Sequence, residues 1–433
     1  MKTLKKLILL LFALSVILSA VSCSSGKGGA PGGYYGGMEM GSDMAPGASL
    51  DSEGAPGDSD SENKNDQISL PSGMITAGAW VDNDNYSMWL DLFVKGQTDD
   101  DIGKFYRYTE PNLSWGFNSL NRIKVNVKNG DSAVAGATVI ASDTEGKALF
   151  SAVTDAKGDA YLFTNAENGS VTVTSGEGSA TADFTADSRD LSVTISANAE
   201  KLDVIELMFV VDVTGSMGDE IDFLKAELAY VIDNVAAANP GTAIKLALLF
   251  YRDTDDRVPF DYYGFTDVTD QQGLVAQQSA LNSQRADGGG DYPEAVDKAL
   301  ELAVNKQWST GATTKLIFFV LDAPAHGKAE NKQTLVNATK IAAEKGIRIC
   351  PIICSGAAEE TEYTMREAAI YTGGTFIFVT DDSGIGNSHH DPDLPNTTVE
   401  LLNSMLVRLI NGYHTGTFAP ATYWKNDPGL ATK

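Results

Sequence analysis

Three oxygen-bearing side chains stand at alternate positions in one short stretch of the 433-residue sequence: Asp212, Thr214 and Ser216. They follow a near-continuous apolar run at 204–211 and precede a segment with the apolar spacing of a helix. We expect the carboxylate and both hydroxyls to face the same side of this strand-to-helix turn. Hard oxygen ligands of this kind suit Mg²⁺, Mn²⁺ or Ca²⁺. Because Ser and Thr are also ordinary helix N-caps, a capping role fits this stretch as well.

Two later segments place further acids near the same predicted edge. Residues 315–321 form a second buried-strand run that ends on Asp322, and a glycine-rich loop carries Asp291 just before a predicted helix. Apolar runs that alternate with helices indicate a parallel sheet. Ligand sites in such sheets gather outside the carboxyl ends of the strands. We therefore expect Asp212, Asp291 and Asp322 to converge on one place.

This arrangement resembles the von Willebrand factor type A domain and its metal-ion-dependent adhesion site. The stretch from Asp212 to Ser216 matches the Asp-x-Ser/Thr-x-Ser element, and Asp322 matches the Asp that ends the central strand. The family usually has a Thr in the third loop, where this chain has Asp291, as in the subgroup with Gly-Gly-Gly-Asp-x-Pro-Glu. The ion, whether Mg²⁺, Mn²⁺ or Ca²⁺, stays open. The resemblance implies five metal ligands: Asp212, Thr214, Ser216, Asp291 and Asp322.

The alternation of runs over residues 202–413 predicts one doubly wound α/β domain of the von Willebrand factor type A kind. Strands are predicted at 204–211, 243–251, 258–265, 315–321, 347–353 and 375–379. Helices are predicted at 219–238, 270–284, 293–305, 328–345, 360–371 and 397–411. Cys350 and Cys354 lie on a predicted extended run at 347–355, about 13 Å apart at the usual rise per residue. A disulfide spans less than about 7 Å, so we expect two buried thiols.

The first 72 residues have the features of a secreted and anchored protein. Residues 1–23 combine lysines, a short apolar run and small residues before Cys23, and so resemble a bacterial signal peptide with a lipobox. We predict that Cys23 is diacylated; the alternative is ordinary cleavage with Cys23 as an incidental thiol. Residues 24–72 lack a periodic apolar face and predict a disordered linker with a reach of roughly 40 Å. The expected location is the bacterial cell envelope, outside the cytoplasm and attached to a membrane by lipid.

Residues 120–200 predict an all-β sandwich, because short alternating runs are separated by turn residues. The segment resembles carboxypeptidase-regulatory-like domains in Gly-Ala-Thr-Val at 136–139 and Thr-Asp-Ala-Lys-Gly-Asp-Ala at 154–160. Such residues form turns and core in that family, so no activity follows. We expect an antiparallel sandwich.

Two segments flank these predicted domains. Residues 73–119 predict an aromatic-rich connector whose Trp115 and Phe117 pack on the sandwich; an exposed aromatic patch for a ligand is the alternative. Residues 414–433 predict a C-terminal tail.

Charge and motif content narrow the classes of function. Asp and Glu outnumber Lys and Arg by 58 to 32, and the formal net charge of −26 argues against nucleic-acid binding. The four histidines are too scattered for a zinc site, and we expect His326 to be a structural hydrogen-bond partner. The sequence contains no nucleophile elbow, zinc-protease motif or phosphate-binding loop.

We interpret the protein as a binding module and not an enzyme. In this interpretation, an Asp or Glu of an extracellular or envelope protein completes the coordination of the divalent cation. A metal-dependent hydrolase is the alternative, and Asp253 is the best candidate for its general base. A supporting contact to the metal ligands is the role that suits Asp253 better. A structural Ca²⁺ site without ligand capture is the third interpretation.

Overall fold

The structure is a computed structural model that describes residues 74–96, 102–197, 202–290, 292–311, 313–383, 392, 394–395, 397–428 and 430. The described residues all belong to one compact unit, Asp66–Lys433. The predicted signal peptide with Cys23, the predicted linker 24–72 and Asp291 lie outside the described residues.

Strands and helices are numbered in chain order. The strands are β1 Thr76–Trp80, β2 Arg122–Asn129, β3 Ser132–Ala133, β4 Thr138–Ser142, β5 Ala148–Val153, β6 Asp159–Phe163, β7 Gly169–Ser175, β8 Gly178–Phe184, β9 Asp190–Thr194, β10 Val204–Asp212, β11 Ala243–Tyr251, β12 Phe260–Asp267, β13 Thr314–Leu321, β14 Ile347–Ile353, β15 Phe376–Val379 and β16 Glu400–Leu401. The helices are α1 Tyr86–Asp91, α2 Gly218–Ala238, α3 Gln271–Asn282, α4 Val296–Val304, α5 Ala329–Glu344, α6 Glu359–Thr372 and α7 Leu402–Thr415.

An eight-stranded mixed sheet forms the centre of the described chain, in the order β12-β11-β10-β13-β14-β15-β1-β16. The inner strands β11, β10, β13, β14 and β15 are parallel, as their continuous apolar runs predict. The sheet is not parallel throughout, because β12 runs antiparallel to β11, and β1 runs antiparallel to β15 and β16.

Helices cover both faces of this sheet. Alternate residues of β10 point to opposite faces, so that Leu207 and Phe209 pack with α2 and α7 while Met208 and Val210 pack with α4 and α5. Together with the parallel inner strands, this confirms the α/β layering of the predicted domain. The predicted last helix is displaced: residues 400–401 pair with β1 as a strand, and α7 begins at Leu402.

The all-β part consists of two four-stranded sheets. One has the order β3-β2-β6 with β9 beside β2, and the other has the order β5-β4-β7-β8. The expectation of a wholly antiparallel sandwich is wrong for one pair, since β2 and β9 are parallel. Phe150 and Phe163 place this part against α6, with ring centroids 5.5 Å and 4.6 Å from that of Tyr371.

The predicted connector is part of the main fold. Its first residues form β1 inside the large sheet. Trp115 donates a hydrogen bond from Nε1 to Glu360 Oε1 at 3.0 Å, and the Phe117 ring lies 5.4 Å from the Tyr371 ring. Both aromatics therefore contact α6 of the α/β part, within a hydrophobic cluster that also contains the sandwich core on which we expected them to pack.

The remaining predictions concern cysteines and membrane spans. Cys350 and Cys354 are buried free thiols, as expected. Within the described ranges, no helix combines the length and apolar character needed to cross a bilayer.

Candidate metal site

Four of the five predicted ligands come together at the carboxyl edge of the sheet. Asp212 is the last residue of β10, and Asp322 directly follows the neighbouring β13. The negative charge of Asp322 acts on Asp212, and the Ser216 hydroxyl is close enough to Asp322 to lower its pKa. Burial has the larger effect on Asp322 and raises its pKa overall. Asp291 lies outside the described residues.

Asp212 has one satisfied and one unsatisfied carboxylate oxygen. Its side chain is fully buried, and Oδ1 accepts the backbone N–H of Thr214 at 2.9 Å. Among the described residues Oδ2 has no partner within hydrogen-bond distance and angle, although the Tyr251 hydroxyl is close enough to lower the pKa of Asp212. Burial raises the pKa of Asp212 to about 7, although the Thr214 N–H opposes the shift. A buried carboxylate oxygen without a partner is unfavourable unless a proton or a cation satisfies it.

The glycine-rich loop is hydrogen-bonded onto this turn. The Asp287 N–H donates to Val213 O at 3.0 Å, and the Gly215 N–H donates to Gly288 O at 3.3 Å. Gly289 has a φ of 74°, and a Cβ there would lie 2.7 Å from Glu294 Oε1 and 3.2 Å from Thr214 Cβ. Glycine is required at this position both by the left-handed backbone and by the close approach of the two side chains.

Glu294 is a site residue that the sequence reasoning did not single out. Its backbone N–H donates to Pro324 O at 3.0 Å, which fixes it beside the chain that leaves β13. Glu294 is 4% exposed, and its Oε2 is buried without a hydrogen-bond partner in the described part of the chain. Burial, followed by nearby negative charges of which that of Asp212 is the largest, raises the pKa of Glu294 to about 9. The sequence feature that could have identified Glu294 is the order Asp-x-Pro-Glu. That order also fits an ordinary acid at the start of a helix, so it did not single out Glu294.

Asp253 lies behind this group of carboxylates. Its Oδ1 is 2.9 Å from His326 Nε2, and its backbone N–H donates to Asp256 Oδ2 at 3.2 Å. The same Asp256 oxygen accepts the N–H of Gly289 at 3.0 Å. Asp253 and Asp256 thus tie the glycine loop to the end of β11. His326 forms a hydrogen bond here, as expected.

Tyr292 connects the site to α6. Its hydroxyl accepts the N–H of Ala358, the residue before α6, at 2.8 Å, and lies 3.2 Å from Asp322 O. The ring is 48% exposed beside the site.

The arrangement offers oxygen donors of the type that a hard divalent cation needs. Within the ranges that the structure describes, no three His, Cys, Asp or Glu side chains form a group that could hold a metal ion. A cation here would therefore depend on the Thr214 and Ser216 hydroxyls and on Asp291. The unsatisfied Asp212 Oδ2 fits that donor set, and the assignment of the five ligands stays a prediction.

Comparison with known proteins identifies the α/β part. Residues 206–381 match the family model of the von Willebrand factor A domain. An ariadne-like RING finger protein of Acanthamoeba polyphaga mimivirus is 26% identical over 223 residues, which are 47% of this chain and 20% of that protein. The alpha-protein kinase vwkA of Dictyostelium discoideum is 27% identical over 125 residues, 28% of this chain and 19% of that protein. The chain thus spans about a fifth of the length of these curated relatives.

The solved structures that resemble part of this chain include the following two. A von Willebrand factor type A structure from Catenulispora acidiphila has a TM-score of 0.35 at 14% identity, covering 66% of this chain and 52% of that one. The pilus adhesin SpaC of Lactobacillus rhamnosus GG has a TM-score of 0.32 at 11% identity, covering 58% and 33%.

Proposed function

We propose that the von Willebrand factor A domain of this chain is an adhesion-type binding module. In this proposal, a divalent cation held by Asp212, Thr214, Ser216, Asp291 and Asp322 binds an Asp or Glu side chain of a partner protein. The observation that carries the proposal is the fully buried Asp212 Oδ2, which has no hydrogen-bond partner among the described residues. A cation would satisfy this oxygen, whereas solvent does not reach it.

The balance of neutral and charged donors explains why a partner carboxylate would bind. Thr214 and Ser216 contribute neutral hydroxyls, so a cation beside them keeps positive charge that can attract an external anion. Thr214 is buried while Ser216 is exposed, which places the accessible side of the turn at Ser216. Chemical preference alone leaves Mg²⁺, Mn²⁺ and Ca²⁺ as the candidate ions.

The proposed location is the bacterial cell envelope, outside the cytoplasm. Its basis is the sequence before residue 74, in which a predicted signal peptide ends at Cys23. A diacylated Cys23 would provide the two acyl chains that stable membrane anchoring requires. The proposed partner is an extracellular or envelope protein that presents an acidic side chain.

Substitution of the buried carboxylate tests the site. We expect Asp212→Ala to abolish binding of Mg²⁺ and Mn²⁺ in calorimetric titration while circular dichroism shows an unchanged fold. Asp219→Ala is the matched control, because Asp219 is an exposed acid two residues after the turn. Unchanged metal affinity in Asp212→Ala would remove the site assignment.

Partner capture is tested separately from metal binding. Pull-down from a cell-surface extract should recover a partner with Mn²⁺ present and lose it with EDTA. Metal binding without EDTA-sensitive capture would favour a structural ion site over an adhesion module.

One observation favours the hydrolase alternative. His326 and Asp253 form a 2.9 Å pair close to the site, and such a pair can accept a proton. Turnover of phosphoester and peptide substrates by the wild type, lost in His326→Ala, would support hydrolysis. No turnover in the wild type would exclude it for those substrates.

A further inference from the structure

A cavity lies near the amino ends of the parallel strands, between the α/β part and the sandwich. This lysine groove has a volume of about 490 Å³. Lys306, Trp308, Lys315 and Lys345 line one wall, and residues of β4 and β7 line the other. Cavities of this size between two packed parts of a protein are common places for ligands.

The lysine groove is positive although the chain is strongly acidic. Three lysines line it, and Glu344 is the one acid among its lining residues. Lys315 Nζ donates to Lys345 O at 3.0 Å, Lys345 Nζ donates to Val304 O at 2.8 Å, and Lys306 Nζ lies 4.2 Å from the Tyr262 ring. Within the described part of the chain, none of the three ammonium groups forms an ion pair with a carboxylate. A groove of this charge attracts anions.

Lys315 is the unusual member, because it is only 7% exposed. Burial lowers its pKa, and the negative charge of Glu206 opposes that shift. The Glu206 carboxylate is engaged elsewhere, since it accepts the N–H of Ser309 at 2.9 Å and pairs with Lys245 at 3.6 Å. Lys315 is the register partner of Glu206 across β10 and β13, and that carboxylate is shared with Lys245 and Ser309, so a bound anion would add counter-charge to the buried ammonium.

Two of the lysines also stabilise helix ends. Lys345 binds the last carbonyl of α4, and Lys315 binds the carbonyl of Lys345 at the end of α5. Positive charge at a helix C-terminus is favourable. Each ammonium has three N–H donors and uses one in these contacts, so capping leaves two donors for a ligand or water.

The neutral part of the lining indicates the kind of anion. Thr138, Thr174 and Ser175 supply hydroxyls from the sandwich, and Trp308 supplies an indole wall. Hydroxyl groups and an aromatic wall suit a ligand that is itself rich in hydroxyls. We propose that the lysine groove binds a short saccharide that carries carboxylate or sulfate groups.

The lysine groove is separate from the candidate metal site. Lys315 is the second residue of β13, and Asp322 follows the last residue of that strand. At the usual rise of a strand the two residues are roughly 23 Å apart. Saccharide binding should therefore persist in EDTA.

The experiment compares four probes on the full 433-residue protein in EDTA by calorimetric titration. The probes are tetragalacturonate, a heparin-derived tetrasaccharide, neutral maltotetraose and tetraglutamate. We expect at least one anionic saccharide to bind, with an affinity that falls as salt is raised. Binding of neither anionic saccharide, binding of maltotetraose as tight as theirs, or tighter binding of tetraglutamate would overturn the proposal.

Variants then locate the binding. Lys306→Ala and Lys315→Met should each weaken saccharide binding at least tenfold, while Lys147→Ala, an exposed lysine of the sandwich, should leave it unchanged. Lys315→Met removes both the buried charge and the hydrogen bond to Lys345 O, so its melting temperature is measured beside its affinity. Lys306 is partly exposed, so Lys306→Ala tests the groove even if Lys315→Met does not fold. Equal affinity in Lys147→Ala and Lys306→Ala would overturn the proposal.

Discussion

Buried carboxylates dominate the candidate metal site at the scale of single residues. Asp212 Oδ2 and Glu294 Oε2 both lack hydrogen-bond partners among the described residues. Their charges repel each other, and burial prevents water from screening that repulsion. Burial is the main cause of the raised pKa of each group, and the charge of Asp322 adds to the shift of Asp212 while that of Asp212 adds to the shift of Glu294. A proton and a cation therefore compete for the same oxygens.

Substitution of Glu294 tests its contribution to this competition. We expect Glu294→Gln to weaken Mn²⁺ binding about tenfold, or about 1.4 kcal/mol, because the metal-bound state then lacks the negative charge of an ionised Glu294 beside Asp212. Calorimetric titration measures the change. Glu301→Gln, at an exposed acid of α4, is the matched control. Equal affinity in the wild type and Glu294→Gln would show that Glu294 only packs beside the loop.

Asp291 is the predicted ligand at which this chain differs from the resemblance described under Sequence analysis. If Asp291 is a ligand, its carboxylate neutralises part of the cation's charge and weakens the attraction for an external anion. Asp291→Thr should therefore lower metal affinity while strengthening metal-dependent capture of an acidic partner. Calorimetry and an Mn²⁺-dependent pull-down measure the two effects. If neither quantity changes, Asp291 is not in the coordination sphere.

At the scale of elements, α6 stands out because it is buried along its length despite many polar residues. Every residue from Thr361 to Thr372 is buried. Arg366 binds Asp82 through two nitrogens, and Glu362 accepts from Arg366 at 2.9 Å and from Lys104 at 2.7 Å. The segment that precedes the sandwich thus covers α6 by ion pairs as well as by aromatic packing.

Glu367 makes this contact sensitive to pH. It is fully buried, it accepts the Ser119 hydroxyl at 2.9 Å, and burial raises its pKa to about 8. The folded state therefore holds a proton that the unfolded state releases above the ordinary glutamate pKa. Stability should fall as pH rises from about 4.5 to about 8 and then level off.

Glu367→Gln should flatten this part of the pH dependence. We expect its melting temperature to exceed that of the wild type at pH 8 and to approach it at pH 5, because glutamine mimics the protonated acid. Thermal unfolding between pH 5 and 9 measures the effect. Glu330→Gln, an exposed acid of α5, should follow the wild type. A constant difference across this pH range would contradict the assignment.

The sequence predicts those elements whose signal is local. The bounds of β11 and β14 agree with prediction, because strands buried on both faces give continuous apolar runs. The strand role of residues 76–80 was missed, because it depends on pairing with β15, some 300 residues later. The cover over α6 was missed for the same reason: the Arg366–Asp82 pair joins residues 284 positions apart.

At the scale of the whole molecule, the proposed anchor decides where the binding module acts. Cys23→Ser should abolish incorporation of labelled palmitate, because the acylated thiol would be lost. The precursor should then stay unprocessed or be released after cleavage elsewhere. Gel fluorography of labelled cells measures incorporation, and label on the variant or none on the wild type would rule out lipid anchoring at Cys23. The melting temperature of the folded part should not change.

The direction of β1 has a consequence for access. Ala77 pairs with Val379 and Trp80 with Phe376, so the amino end of β1 lies at the carboxyl ends of the parallel strands. The chain therefore enters the fold at the edge that also carries Asp212 and Asp322. A lipid anchor would hold this edge towards the membrane. A bulky partner can reach the site only if there is enough space between this edge and the membrane surface. The number of residues before β1 would then set the largest partner that the site admits.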